Sequence, residues 1–477
     1  MTQPDFGPLD KALDRAASLG ATDAEACMEN EVGLSVRVFD AKVEKFSFSE
    51  SRGIGLRVYL DGRQGRSYTS DLSDKAIDEA VVAALDSAKV TPADEARALP
   101  DSSLYPEGAT GGGYLGDDLD ILGDDLESVT AGEKIEFVLE MERLARSHVE
   151  RVTGVEASVY SEGTGEAVLA STRGFRAAYR SSICFGYIVA VAGLESESVT
   201  GFGFTAGRSF ADLDAKSSAE EASAMAVDLL GGKPVETAKV PVLIDNLSTA
   251  ELLAVLGGAL SAESVVKGKS FLAGRMGEPV ASSRLTVVDD GTMKGGFGTA
   301  PFDGEGVGAS EKSPIEAGNL TTFLHNCYTA ARMGTVTTGN AGRASFRSQV
   351  GVTPTNIFLK PGEATPEELR STMGTGFEVR ELQGVHVGLN PVTGEVSVGA
   401  RGRWIEKGQP VHAVREVTIA GTMDGILKGI VGVGSDLRFT PLLGGIGTPS
   451  ILVEGLTVSG TCARASGRAA RRAAKSQ

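Results

Sequence analysis

A helix that is apolar on every side cannot lie on a surface. Residues 249–266 carry Leu252, Leu253, Val255, Leu256 and Leu260 with no continuous polar face, so a helix there belongs in the middle of the fold. The run Pro241-Val-Leu-Ile-Asp245 just before it reads as a buried strand. Ser248-Thr-Ala-Glu251 has the form of a capping box, with Ser248 taking an orphan amide and Glu251 reaching back. Gly257-Gly258 falls inside the helix. Each glycine costs roughly 1 kcal/mol against alanine, so the pair predicts that something approaches the helix closely there.

Five phrases follow the helix in order. They are Lys267-Gly-Lys-Ser-Phe-Leu272, Gly277-Glu-Pro-Val-Ala-Ser282, Val287-Val-Asp-Asp-Gly291, Pro301-Phe-Asp-Gly-Glu-Gly306 and Thr338-Gly-Asn-Ala-Gly-Arg343. In that order they resemble the C-terminal half of the TldD/TldE (PmbA) family, once described as modulators of DNA gyrase and now regarded as metalloproteases. Gly434-Ser-Asp436 and Pro449-Ser-Ile-Leu-Val453 match the family's closing phrases, and the resemblance spans about 9–460. TldD members carry His-Glu-x-x-x-His on the central helix, two histidines for zinc and a carboxylate for the water. Aligned on Lys267-Gly268, those positions fall here on Leu253, Ala254 and Gly258, none of which binds a metal. TldD members also place a cysteine ligand near the C-terminus, and 440–449 contains none. The resemblance is therefore to the TldE (PmbA) side of the family, the partner without the zinc site, and it implies no bound cofactor.

Bulk properties narrow the function classes. A chain of 477 residues allows about three domains at ~150 residues each. Its apolar content of 41% is ordinary for a globular protein. No apolar run approaches the ~20 residues of a membrane helix, and the start, Met-Thr-Gln-Pro-Asp-Phe, has no basic or apolar signal region. The formal net charge of −17 repels phosphate backbones and anionic membranes, which counts against direct DNA binding, and that acidity is the only support for a gyrase-binding regulator. Cys27, Cys184, Cys327 and Cys462 are far apart and form no CxxC, as expected of free thiols in a reducing cytoplasm.

The order of elements points to an α+β fold. An amphipathic helix over 9–19 precedes strand patterns at 34–38, 43–48, 54–60 and 64–70, with Asp61-Gly62 as a hairpin turn, and Ser73 caps a second helix. After 91–132, an acidic stretch read as a solvated linker, the grammar recurs. Thr130-Ala-Gly-Glu133 opens a helix, short strands follow at 154–161, 165–171, 175–184, 187–192 and 198–205, and a helix spans 217–230. Residues 1–238 are expected to form an N-terminal helix and antiparallel-sheet domain of two similar halves, bounded by Lys233-Pro234. Residues 239–462 are expected to form a β-rich C-terminal domain, a sandwich or barrel. Its strands are expected at 283–288, 356–359, 384–389, 395–400, 403–406 and 412–419, with helices at 366–373 and 423–431. The basic, Ala-rich tail 463–477 has no large apolar residue to bury and is expected to be disordered.

Chemistry of the chain's own is sparse. His148, His325, His386 and His412 include no i, i+4 pair, and His325-Asn-Cys327 supplies two metal donors where three or four are needed. Alternating carboxylates at 117–127 lack the spacing of a calcium loop. No Gly-x-Ser-x-Gly, Walker A or GxGxxG frame is present. The remaining candidate cleft is Asp289, Asp290, Asp303 and Glu305, with Asn340 and Arg343 on the glycine-rich loop. The carboxylates are capable of acid–base work or of shaping a cleft, and Arg343 of gripping a peptide carboxylate. Two functions stay open. The resemblance implies a non-catalytic subunit that pairs with a TldD-like zinc subunit, or with itself, and helps hold unfolded or leader-peptide substrates. The alternative is a free-standing hydrolase or homodimer with an acidic site of its own.

Overall fold

The computed structural model describes residues 3–194, 197–441 and 444–460, so the tail 463–477 and Cys462 lie outside the described residues. Helix α1 (Gly7–Ser18) leads into strands β1 (Asp23–Phe39), β2 (Lys42–Leu60) and β3 (Arg63–Thr69) and helix α2 (Asp74–Val90). The same order returns in α3 (Ala131–His148), β4 (Val152–Ser171), β5 (Arg176–Leu194), β6 (Glu197–Gly207) and α4 (Ala215–Asp228). The two halves join through β1 and β4 into one antiparallel sheet, in the order β3-β2-β1-β4-β5-β6. The expected cap at Ser73 and capping box at Thr130 and Glu133 both form. The five short strands expected after residue 150 are three long ones. Gly163, Gly165 and Gly186 stay inside them, because both neighbouring strands keep the ladder paired there.

This sheet is covered on both faces. Ala24, Ala26, Met28, Ile54, Leu56 and Val58 pack on α1 and α2. The alternate positions of the same strands, Glu25, Cys27, Glu29, Gly55 and Arg57, turn to the opposite face. There they meet the C-terminal domain, as the contacts of Glu25, Glu29 and Arg57 below show. The acidic stretch 91–132 keeps Asp117, Asp118, Asp120 and Asp124 in solvent but buries Leu99, Ala109, Ile121 and Leu126. Part of it runs along the free half-edge of β5, where Leu115 N donates to Ala178 O at 2.8 Å and Ser182 N to Ile121 O at 2.9 Å. It is thus a partly buried strap rather than a solvated linker, because the unpaired β5 amides and carbonyls give its backbone partners.

In the C-terminal domain, β7 (Ala238–Ile244) and the strands Gly376–Gln383, Glu395–Glu406, Gln409–Thr422 and Ile451–Gly460 close into a five-stranded barrel. A second, six-stranded sheet contains Val287–Asp290 and Asn356–Leu359. Helix α5 (Asn246–Leu260) lies in the core shared by barrel and sheet, with Leu252, Leu253, Leu256 and Leu260 buried. Its start differs from expectation. Asp245, not Ser248, is the N-cap, accepting from Ser248 N at 2.9 Å, and the helix ends at Leu260 before a separate turn, Ala262–Val266. Residues 385–388 form a short helix instead of a strand, entered through Gly384 at φ 69°. The two strands expected at 395–400 and 403–406 are one, with a register shift between Ala400 and Gly402.

Candidate functional site

The glycine-rich loop and the 301–306 turn meet the N-terminal sheet, and a cavity of about 220 Å³ lies between them. Cys27, Glu29 and Tyr179 line it from the sheet, and Asp303, Ala341 and Arg343 from the loops. Asp303 organises the turn. Its Oδ1 accepts from Glu305 N at 2.8 Å and Val307 N at 3.0 Å, and its Oδ2 from Ala341 N at 2.9 Å. Burial, and then the neighbouring Glu305 carboxylate, push its pKa up to about 7 against the pull of those amides.

Glu305 is committed elsewhere. Burial alone would raise its pKa, but Arg57, with Nη1 2.7 Å from Oε1, and the Cys327 amide, 2.9 Å from Oε2, bring it below the ordinary value. Arg57 Nη2 also reaches Glu25 at 2.7 Å. Glu25 pairs in turn with Arg343, whose Nε donates to Gly304 O at 2.9 Å. The result is an alternating chain, Glu305–Arg57–Glu25–Arg343, that crosses between the domains. Glu25 and Glu305 are each 2% exposed and Arg57 is 6% exposed. Each charge has a partner, which is what lets four ionised groups sit out of water.

The other expected cleft residues separate from this group. Asp289 is fully buried and holds Lys312 at 3.0 Å, Asn340 Nδ2 at 2.8 Å and Thr355 N at 2.6 Å. Asn340 spends its remaining groups on Thr338 and the Thr353 carbonyl. Asp290 faces away and closes a turn on Thr292. These bonds assign all three to holding the loops. His325 and Cys327 do not share a strand face, because Asn326 caps a helix that begins at Cys327. Burial lowers the His325 pKa, and burial followed by Glu305 raises the Cys327 thiol.

Sequence reasoning missed Glu25 and Arg57. The available signal was a charged residue in alternation with apolar ones on each of two strands, Ala24-Glu-Ala26 and Leu56-Arg-Val58.

The three residues on α5 that the resemblance aligns with the zinc motif, Leu253, Ala254 and Gly258, carry no metal donor. Leu253 is buried among apolar side chains, while Gly258 is exposed, so the two point in different directions. A Cβ on Gly258 would meet nothing within 4 Å, whereas one on Gly257 would come 3.3 Å from Pro354. The close approach predicted for the glycine pair therefore occurs at Gly257 alone. Among the described residues, no group of three or more His, Cys, Asp or Glu side chains is placed to hold a metal. No helix among them is long and apolar enough to cross a membrane.

Comparison with known proteins agrees with this architecture. The chain is 29% identical over 434 residues to the metalloprotease PmbA of Escherichia coli O157:H7, covering 90% of this chain and 92% of that protein. It is 29% identical over 453 residues to a PmbA homologue of Haemophilus influenzae, covering 94% of each. A Thermotoga maritima structure labelled as a DNA gyrase modulator superposes with a TM-score of 0.83 at 28% identity, covering 95% of this chain and 99% of that one. TldE of Thermococcus kodakarensis has the same fold, with a TM-score of 0.82 at 22% identity, covering 95% of this chain and 100% of that one. Profiles of PmbA/TldA metallopeptidase domain 1, central domain and C-terminal domain match residues 24–88, 124–230 and 237–460. The chain belongs to the PmbA/TldA metallopeptidase family, whose role is in proteolysis.

Proposed function

We propose that this chain is a non-catalytic subunit of a TldD/TldE-type metalloprotease, working in the cytoplasm. In this reading it pairs with a zinc-bearing TldD-like chain, or with a second copy of itself, completes the substrate cleft and holds unfolded or leader-peptide segments for cleavage. The observation that carries the reading is α5, where Leu253, Ala254 and the open Gly258 stand at the family's zinc-motif positions and supply no donor.

The free half-edge of β2 supports the peptide-holding part. β3 pairs with β2 only over Ile54–Leu60, which leaves 42–53 without a strand partner on that side among the described residues, with Phe46 and Phe48 exposed. An extended peptide binds such an edge through main-chain hydrogen bonds. A free-standing hydrolase at Asp289, Asp290, Asp303 and Glu305 is less favoured, because those side chains are already bonded to the loops or to Arg57 and Lys312.

The test is co-purification with a TldD paralogue followed by peptide cleavage. The expected outcome is cleavage by the complex, none by this chain alone, and no stoichiometric zinc on the isolated chain by elemental analysis. Casein hydrolysis by the purified chain alone, or about one tightly held zinc per chain, overturns the reading.

A further inference from the structure

In a chain of net charge −17, a cavity lined by four arginines and no carboxylate is out of place. It has a volume of about 250 Å³, and Arg57, Arg66, Arg343 and Arg347 line it together with Tyr68 and Phe346. β3 explains the placement. Gly65 and Ser67 turn toward α2, with Ser67 Oγ bonded to Ala80 O, so Gln64, Arg66 and Tyr68 turn to the other face, beside Arg57. From the C-terminal domain, Arg347 lies over the rings of Phe346 at 4.9 Å and Tyr68 at 6.0 Å.

The four cations divide into two pairs. Arg57 and Arg343 are balanced by Glu25 and Glu305. Arg66 and Arg347 are exposed, and neither pairs with a carboxylate among the described residues. An adjoining cavity of about 160 Å³ shares Arg57, Gln64, Gln349 and Val350 but is mixed in charge, adding Arg97 and Lys267 together with Glu263 and Glu305.

We propose that this cavity binds the carboxylate of an extended peptide. The planar, fork-shaped arginine head matches a carboxylate, and the Tyr68 and Phe346 rings offer apolar contact to the residue that bears it. The location suits this occupant. The unpaired edge of β2 ends at the Ile54–Thr69 pair, where β3 terminates, and Tyr68 is the residue just before that end. A peptide laid along 42–53 would carry its end to the mouth of the cavity. The choice of a peptide rests on the proposed holding role; the anion preference rests on the arginines. Arg343, the arginine that the sequence singles out for gripping a carboxylate, is spent on Glu25, and the cations left without a carboxylate among the described residues of this cavity are Arg66 and Arg347.

The test uses the full chain and fluorescein-labelled octapeptides of neutral composition, read by anisotropy at low salt. Three probes share one sequence: a free C-terminal acid, the C-terminal amide, and the amide with a glutamate near its end. The free acid is expected to bind about tenfold more tightly than the amide, the size of one charge-assisted hydrogen-bond loss. R66Q/R347Q should erase that difference while melting like the wild type, since both side chains are exposed. If the glutamate amide matches the free acid, the site reads an acidic side chain; if it matches the plain amide, the site reads the chain end. Equal binding of acid and amide, no binding of any probe, or an acid preference that survives in R66Q/R347Q would each overturn the proposal. Co-purification with a TldD paralogue is scored separately. A failed complex with intact acid preference removes only the subunit reading, and an intact complex without acid preference removes only this one.

Discussion

Arg343 and Arg347 sit four residues apart on one loop and have opposite fates. The Arg343 side chain is only 10% exposed, paired with Glu25 and bonded to the Gly304 carbonyl. Arg347 is exposed, rests on two aromatic rings and pairs with no carboxylate among the described residues. The difference comes from what the N-terminal sheet presents below each. Under Arg343 lies the charged face of β1 and β2; under Arg347 lie Tyr68 and open solvent. Charges at a domain boundary thus separate into those that hold the boundary and those left over for something else. Counting charged residues in the sequence cannot make that division.

The strongest way to break the buried set is Arg57→Ala. It leaves Glu25 and Glu305 facing each other with one cation, Arg343, instead of two. Removing one member of a buried ion pair typically costs about 3–5 kcal/mol. Urea denaturation of the variant should show a loss of that size, with a lower midpoint. A loss below about 1 kcal/mol would mean that water reaches the chain of charges and the boundary is loose.

A smaller effect is expected from Gly55→Ala, which probes how the loop is seated between the two arginines. A Cβ at Gly55 would come within 2.0 Å of the Phe346 carbonyl oxygen. Glu29 Oε2 also holds Phe346 N, at 2.6 Å, so the loop has no room to lift. Overpacking of this kind costs about 1–3 kcal/mol. The same substitution should weaken any acid preference of the arginine cavity, because Phe346 and Arg347 move together. A variant that melts like the wild type would show that the loop floats over β2.

Much of the fold was legible because it is written locally. The caps at Ser73 and at Thr130 with Glu133, the alternation of Ile54, Leu56 and Val58, and the burial of the central helix all follow from spacing within a few residues. The candidate site was legible only in part. Asp289, Asp303 and Asn340 bond within the C-terminal loops, but the partners of Glu305 and Arg343, namely Arg57 and Glu25, come from another domain. Arg57 is 248 positions from Glu305, and no local pattern spans that distance. The strap at 112–123 was misread for the same reason, since its hydrogen bonds go to β5. At Gly258 the misreading was of burial. An apolar helix suggested a packed notch, yet the glycine faces open space. Gly258→Ala should therefore stabilise the chain by up to about 1 kcal/mol through helix propensity alone, seen as a raised urea midpoint. A destabilised variant would show that something covers this face.

The smallest effect concerns a carboxylate that the buried set leaves out. Glu251, on α5, pairs with no cation among the described residues. Burial, followed by the charges of Glu381 and Asp245, pushes its pKa up to about 7 from an ordinary 4.5. Arg401 stands 2.5 Å from Glu381 and Arg380 3.8 Å from Asp245, so the nearby cations serve those acids first. The sign follows from linkage. Between pH 4.5 and 7 the folded chain binds this proton more tightly than the unfolded chain does. The contribution of Glu251 is therefore most favourable below pH 4.5 and is lost as pH rises through 7. Glu251→Gln keeps the shape and removes the titration. Its melting temperature relative to wild type should rise with pH across that window, ending at or above the wild-type value at pH 8 by no more than a few degrees. Arg57→Ala should not follow the same curve, because Glu305 is lowered, not raised. A Glu251→Gln difference that stays flat from pH 4.5 to 8 would place Glu251 in free contact with solvent. The line between compensated and stranded carboxylates drawn here would then have to move.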